Sequence, residues 1–145
     1  MEQVDVLVIG GGQSGLAIGY FLRRTALSFI ILDSESLPGG AWQHAWDSLR
    51  LFSPAQWSSL PGWLMPPAGD DTYPSKDHVL RYLAAYEERY TLPVKRPVVV
   101  QSVSRDRERL TVQTDSGGYS AKAVVSATGT WRHPFWPYCP VAVDF

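Results

Sequence analysis

The chain begins with an apolar run, Val4 to Ile9, rich in β-branched residues and bounded by glycine, which predicts a buried strand. After three glycines the period changes. From Gln13 to Arg24 the positions Leu16, Ala17, Tyr20 and Phe21 fall on one face at helical spacing. This predicts a helix with Arg23 and Arg24 in its last turn, where cations suit the dipole. Ser28 to Asp33 is apolar again and ends in an acid, which predicts a second buried strand. Strand, helix and strand joined by short links imply a right-handed parallel βαβ unit.

The pattern then dissolves. Residues 34–74 are dense in Pro, Gly, Ser and Trp, and hold Trp42, Trp46, Trp57 and Trp63. The segment is too apolar for a disordered linker and too broken for regular elements, so it reads as a long ordered excursion of the functional kind. Apart from Trp42, its tryptophans read as local packing. Helical spacing resumes at Ser75, an N-cap, with Asp77 in the first turn and Val79, Leu80, Leu83 and Tyr86 on one face. His78, beside Asp77, reads as solvated. Residues 96–106, 109–115 and 118–129 then read as three strands, with a turn at Asp115 to Gly118 between the last two. The last strand runs through Ala123 to Ala127 into Thr128 and Gly129. The fold class expected is α/β: a Rossmann-like parallel sheet of three or four strands with a small three-strand β-meander, in a single domain over residues 1–145.

Bulk properties narrow the function. The chain has 145 residues and a formal net charge of −1, so no broad basic face points to nucleic acid or anionic lipid. No apolar run approaches a membrane span, and the acidic first residues lead straight into a strand, so a cytoplasmic location is expected. Cys139 is the single cysteine; without a CxxC pair, disulfide-reductase chemistry is not expected. His44, His78 and His133 have no spacing suited to a metal or a triad. No metal site and no catalytic residue is assigned.

Gly10, Gly12 and Gly15 form G-x-G-x-x-G between the first strand and the first helix. The first glycine permits a tight turn, the second lets backbone approach a pyrophosphate, and the third lets helix pack on strand. The helix N-terminus, with Gln13 and Ser14 in its first turn, offers free N–H groups to phosphate oxygens. Asp33, followed by Ser34, ends the next strand about 20 residues beyond the glycines, where a carboxylate binds a ribose hydroxyl and disfavours a 2′-phosphate. The glycines alone do not separate FAD from NAD.

Four stretches together, "GGGQSG…LD", "GGAWQHAWDSLRLFSPAQWSSLPGW", "YPSKDHVLRYL" and "VVSATGTWRHPFWP", resemble the N-terminal part of the flavin-containing monooxygenase superfamily. The likeness is greatest to bacterial CzcO/ArsO-like flavoprotein monooxygenases, and it covers positions 4 to about 138. It implies FAD as cofactor, with Gly10 to Gly15 on its pyrophosphate and Asp33 on its adenosine ribose. It also implies that Gly40, Ala41 and Trp42 lie along the cofactor near the flavin ring. Val100 matches a position whose backbone meets the adenine edge, and Ala127, Thr128 and Gly129 match a segment close to the dinucleotide. Read without the resemblance, Val100 is a strand residue and Thr128-Gly129 a strand end. The Asn that animal members place near the reactive flavin is missing. Phe52 and Ser53 take that neighbourhood, where Ser53 either donates a hydrogen bond or only makes a Ser-Pro turn.

Members of the family reduce FAD with NADPH and then use oxygen. The second glycine motif, for NADPH, is not among these residues, so the resemblance implies an FAD-binding portion that is catalytically incomplete by itself. It further implies an exposed apolar face and, with it, self-association or a partner chain. Two alternatives stay open: a non-catalytic FAD- or dinucleotide-binding module that works with a partner, and an NAD-dependent dehydrogenase fragment.

Overall fold

The structure, a computed structural model, describes residues 1–69 and 73–138; Cys139 lies outside them. Among the described residues, eight helices and strands occur in the order β1 (Glu2–Ile9), α1 (Gln13–Leu22), β2 (Phe29–Leu32), α2 (Lys76–Arg89), β3 (Val94–Lys95), β4 (Val100–Asp106), β5 (Arg109–Thr114) and β6 (Gly117–Ser126). The strands form one six-stranded sheet in the order β3-β2-β1-β6-β5-β4. β3, β2, β1 and β6 are parallel, with Val8 opposite Ile31 and Val125. β4, β5 and β6 are antiparallel. The expected parallel sheet and β-meander are therefore both present and share β6, whose Tyr119 to Ala121 pair with β1 on one side and β5 on the other. The two-residue strand β3 was not foreseen: a dipeptide is too short to show a period.

Both faces of the parallel strands are covered, which is why β1 and β2 read as continuous apolar runs. Val6, Val8 and Ile31 pack with Leu16 of α1 and with Val79, Tyr82, Leu83 and Tyr86 of α2. Leu7, Ile30 and Leu32 pack on the opposite side with Val98, Val112, Tyr119 and Ala121, so the meander curls over that face.

α1 departs from its sequence reading. It buries Gly15, Leu16 and Gly19, whereas Phe21 is exposed. Small residues face the sheet because the approach is close: a Cβ on Gly19 would lie 2.9 Å from Ile31 Cδ1. The helix also ends early, at Leu22, whose carbonyl accepts from the Thr25 N–H at 2.9 Å and hydroxyl at 2.7 Å. Arg23 and Arg24 thus leave the last turn and lie over the rings of Tyr90 and Tyr20, at 5.0 and 5.9 Å.

α2 begins as expected, with the Ser75 hydroxyl accepting from the His78 N–H at 3.3 Å. Its buried stripe includes Tyr82, while half-buried Leu80 meets the loop at Gly39. This stripe organises the excursion, whose described part has only two 3₁₀ turns, Gly40–His44 and Ala55–Trp57. His78, Tyr82 and Tyr86 stand four residues apart and offer polar tips to successive loop carbonyls. Tyr86 donates to Pro61, Tyr82 to Trp63 at 2.7 Å, and His78 Nε2 to Pro66 at 2.9 Å. His78 keeps part of its surface in solvent, as expected, but its ring is also anchored to the loop. Tyr82 also accepts from the Leu60 N–H at 2.7 Å. Trp63 packs on Tyr82 with ring centroids 5.1 Å apart, but Trp46 and Trp57 are 66% and 76% exposed and do not pack as expected.

Candidate functional site

The glycine loop sits at the carboxyl ends of β1, β2 and β6. Ile9 accepts from the Ala127 N–H, and the Gly10 N–H donates to Leu32, both at 2.8 Å. Gly10 has φ +109°, and a Cβ there would collide with the Ala127 carbonyl and come within 3.3 Å of the Thr128 nitrogen. Only glycine fits this turn. A Cβ on Gly15 would collide with the Gly10 carbonyl, the close helix–strand approach the motif requires.

Gly12 is the N-cap of α1 and has no side chain to cap the helix. No acidic residue stands in the first turn, and Gln13 and Ser14 are exposed, so the helix terminus is open to an anion. Gly40 lies across from it at φ +53°; a Cβ on Gly40 would come within 2.8 Å of Gly12 Cα. Two bare backbones therefore face each other at the positive end of α1.

Asp33 lies against the same loop. A Cβ on Gly11 would sit 2.6 Å from Asp33 Oδ2. The carboxylate is buried and paired: Arg96 donates to Oδ2 from Nε and a terminal nitrogen, each at 3.3 Å, and the Glu35 N–H donates to Oδ1 at 3.3 Å. Arg96 also grips both oxygens of Glu87 on α2, at 2.6 and 2.8 Å. The backbone delivers Arg96 there, since the Asp33 N–H donates to Lys95 at 2.9 Å and the Asp33 carbonyl accepts from Val98 at 2.8 Å. Burial works against the charge of Arg96, but the hydrogen bonds and charge of Glu87, with Asp33 behind them, hold its pKa above the ordinary value.

Glu35 joins a second cluster. Its Oε1 is 3.0 Å from His44 Nε2 and 3.5 Å from Arg132, while Trp131 stacks on His44 at 5.5 Å with the planes 8° apart. The segment after Gly129 therefore crosses back to the loop that follows Asp33.

Gly10, Gly12, Gln13, Ser14, Gly15, Asp33, Gly40, Ala127 and Thr128 come together or adjoin the same turn. Ser34 is half-buried beside Asp33, Ala41 is exposed beside Gly40, and Gly129 lies in open space at φ +64°. Two candidates stand elsewhere. Trp42 packs against the helix-side core. Val100 lies on the edge strand β4 opposite Thr114 and packs against the core cluster that holds Leu32 and Val98. Ser53 pairs with the Ser58 hydroxyl at 2.8 Å in the turn, and Phe52 is 94% exposed. Gly11, Arg96, Glu87 and Glu35 were missed. Gly11 lay inside the motif; Arg96 and Glu87 gave no local signal, being 63 and 54 residues from Asp33 in sequence.

A parallel sheet with a glycine turn, an open helix terminus and an acid at the next strand end defines a Rossmann-like dinucleotide-binding fold. The chain belongs to the pyridine nucleotide-disulphide oxidoreductase family, whose model matches residues 7–144. It is similar to a CzcO-like oxidoreductase of Geobacillus kaustophilus, 42% identical over 135 residues, which are 92% of this chain and 38% of that protein. Among solved structures, a flavin-containing monooxygenase from Stenotrophomonas maltophilia is 60% identical with a TM-score of 0.91, matched over 95% of this chain and 42% of that one. An oxidised steroid monooxygenase bound to NADP is 27% identical with a TM-score of 0.76, over 88% and 26% of the two chains. The resemblance to flavoprotein monooxygenases read from the sequence is thus upheld. The chain spans well under half the length of these relatives.

Proposed function

We propose that these residues bind FAD through its adenosine-diphosphate half, as the flavin site of an NADPH-dependent flavoprotein monooxygenase. The observation that carries the reading is the pair of bare backbones, Gly12 and Gly40, facing each other at the uncapped N-terminus of α1. A pyrophosphate needs a close backbone approach, free N–H groups and no side chain in its path. The first turn at Gln13 and Ser14 would supply N–H donors, and Asp33 would accept a ribose hydroxyl. When bound, FAD supplies two-electron redox chemistry and the capacity to activate oxygen. The protein's part is to fix the adenosine end, so that the flavin is presented along the loop from Gly40. The steroid monooxygenase bound to NADP supports NADPH as the family's reductant.

The test is the visible absorption spectrum of the chain after incubation with FAD and desalting. Bound flavin bands are expected in the wild type and should vanish in Gly12→Val. That variant should still fold, losing about 1–2 kcal/mol as a poorer N-cap, because the first side-chain atom, a Cβ at Gly12, makes only an ordinary contact with Gly40 Cα at 3.8 Å. A folded wild-type chain that releases all its flavin, or a Gly12→Val chain that keeps it, overturns the reading.

A further inference from the structure

We propose that Arg96, anchored by Glu87, is a positioning residue that makes Asp33 selective for an adenosine ribose without a 2′-phosphate. This rests on the reading that the glycine loop and Asp33 take the adenosine end of a dinucleotide. An arginine beside the ribose site is ordinarily what accommodates a 2′-phosphate. Here the fork faces two carboxylates instead. Nε and one terminal nitrogen bond Asp33, and both terminal nitrogens bond Glu87, which engages four of the five N–H groups of the guanidinium. The group of three carries a net charge of −1, from one guanidinium and two carboxylates, so a phosphate arriving there meets repulsion.

The same bonds aim Asp33. A carboxylate has about four acceptor positions. Arg96 fills the two on Oδ2 and the Glu35 N–H fills one on Oδ1. One acceptor position remains, on Oδ1, which suits a single hydroxyl donor. Glu87 sits near the end of α2, so the helix that organises the excursion also sets the ribose site.

The experiment is calorimetric titration of ADP and of 2′-phospho-ADP into wild type, Glu87→Gln, Arg96→Lys and Arg96→Met. Wild type is expected to prefer ADP. Glu87→Gln removes one negative charge and should reduce that preference about tenfold. Arg96→Met should weaken ADP binding about tenfold or more, and Arg96→Lys should restore part of the loss, since it keeps the charge without the fork. A merely structural role would weaken both ligands alike, so an unmoved ratio in Glu87→Gln overturns the inference while leaving the flavin reading in place. A wild-type chain that binds neither nucleotide overturns the flavin reading and this inference with it.

Discussion

The strand framework and the excursion solve the same problem, pairing the polar groups of the backbone, by opposite means. In β1, β2 and β6 the partners are other backbone groups, and the side chains are left to pack. In the excursion the partners are side chains on one stripe of α2: His78, Tyr82 and Tyr86 take three carbonyls between Pro61 and Pro66. Lys76 reaches the Ala45 carbonyl at 2.7 Å in the same way. A ladder tolerates the loss of one side chain because its bonds do not depend on it. A loop hung from hydroxyls does not, so the two regions should respond differently to the same kind of damage.

The largest difference is expected at Tyr86, which is fully buried and touches Tyr20, Tyr82 and Tyr90 while holding Pro61. Tyr86→Ala should cost about 4 kcal/mol, the scale of a large buried ring lost to a cavity with a carbonyl left unpaired. Urea denaturation measures it. A loss near 1 kcal/mol would mean that the excursion stands without its stripe.

Next comes Gly10→Ala, which attacks the framework through its backbone. The new Cβ enters a left-handed turn and meets the Ala127 carbonyl, so about 3 kcal/mol should be lost. Compared with Gly12→Val, it separates two duties within one motif. Gly10 is required by the fold, whereas a Cβ at Gly12 makes only an ordinary contact, so its duty under the proposal lies with the ligand. Equal destabilisation by both substitutions, seen in their urea midpoints, would erase that separation.

The same division explains what was legible beforehand. β1, α1, β2 and the meander showed in the periodicity, because local pattern reports which face is buried. The glycine turn and Asp33 showed because their spacing is set by one short βαβ unit. Phe21 was misread because the face of α1 that meets the sheet carries Gly15 and Gly19 beside Leu16, so only part of the apolar stripe faces inward. Arg96 could not be found, since its pairing with Asp33 exists only after β3 docks beside β2. The α2 stripe did leave a trace: three polar-tipped rings at positions 78, 82 and 86 are more than packing requires. Their partners, prolines and a tryptophan in an aperiodic loop, left none.

The finest test uses pH, because the two regions contain groups that titrate at opposite ends of the scale. In the framework, Asp5 forms a clasp with Ser28: its Oδ2 accepts the Ser28 N–H at 2.9 Å and hydroxyl at 2.8 Å, and Lys122 stands 2.8 Å from Oδ1. The bond from Lys122, then those from Ser28, hold the Asp5 carboxyl well below the usual carboxylate range. Its contribution is therefore present above the unfolded pKa, about 4, and is lost as pH falls below that value. On the α2 stripe that holds the excursion, burial pushes the phenols of Tyr82 and Tyr86 upward, with neighbouring tyrosines adding to the rise. Their contribution is complete below the unfolded value, about 10, and is lost as pH rises beyond it. Acid should thus weaken the sheet, and Asp5→Asn should flatten the acid limb of the stability curve. Alkali should release the loop first, lowering the near-ultraviolet dichroism of the Trp63–Tyr82 pair while the far-ultraviolet signal persists. In Tyr82→Phe, with one phenol fewer to ionise, the alkaline step should shrink. If both dichroism signals fell together at high pH, loop and sheet would be one cooperative unit, and the hydroxyl stripe would be no weaker a support than the ladder.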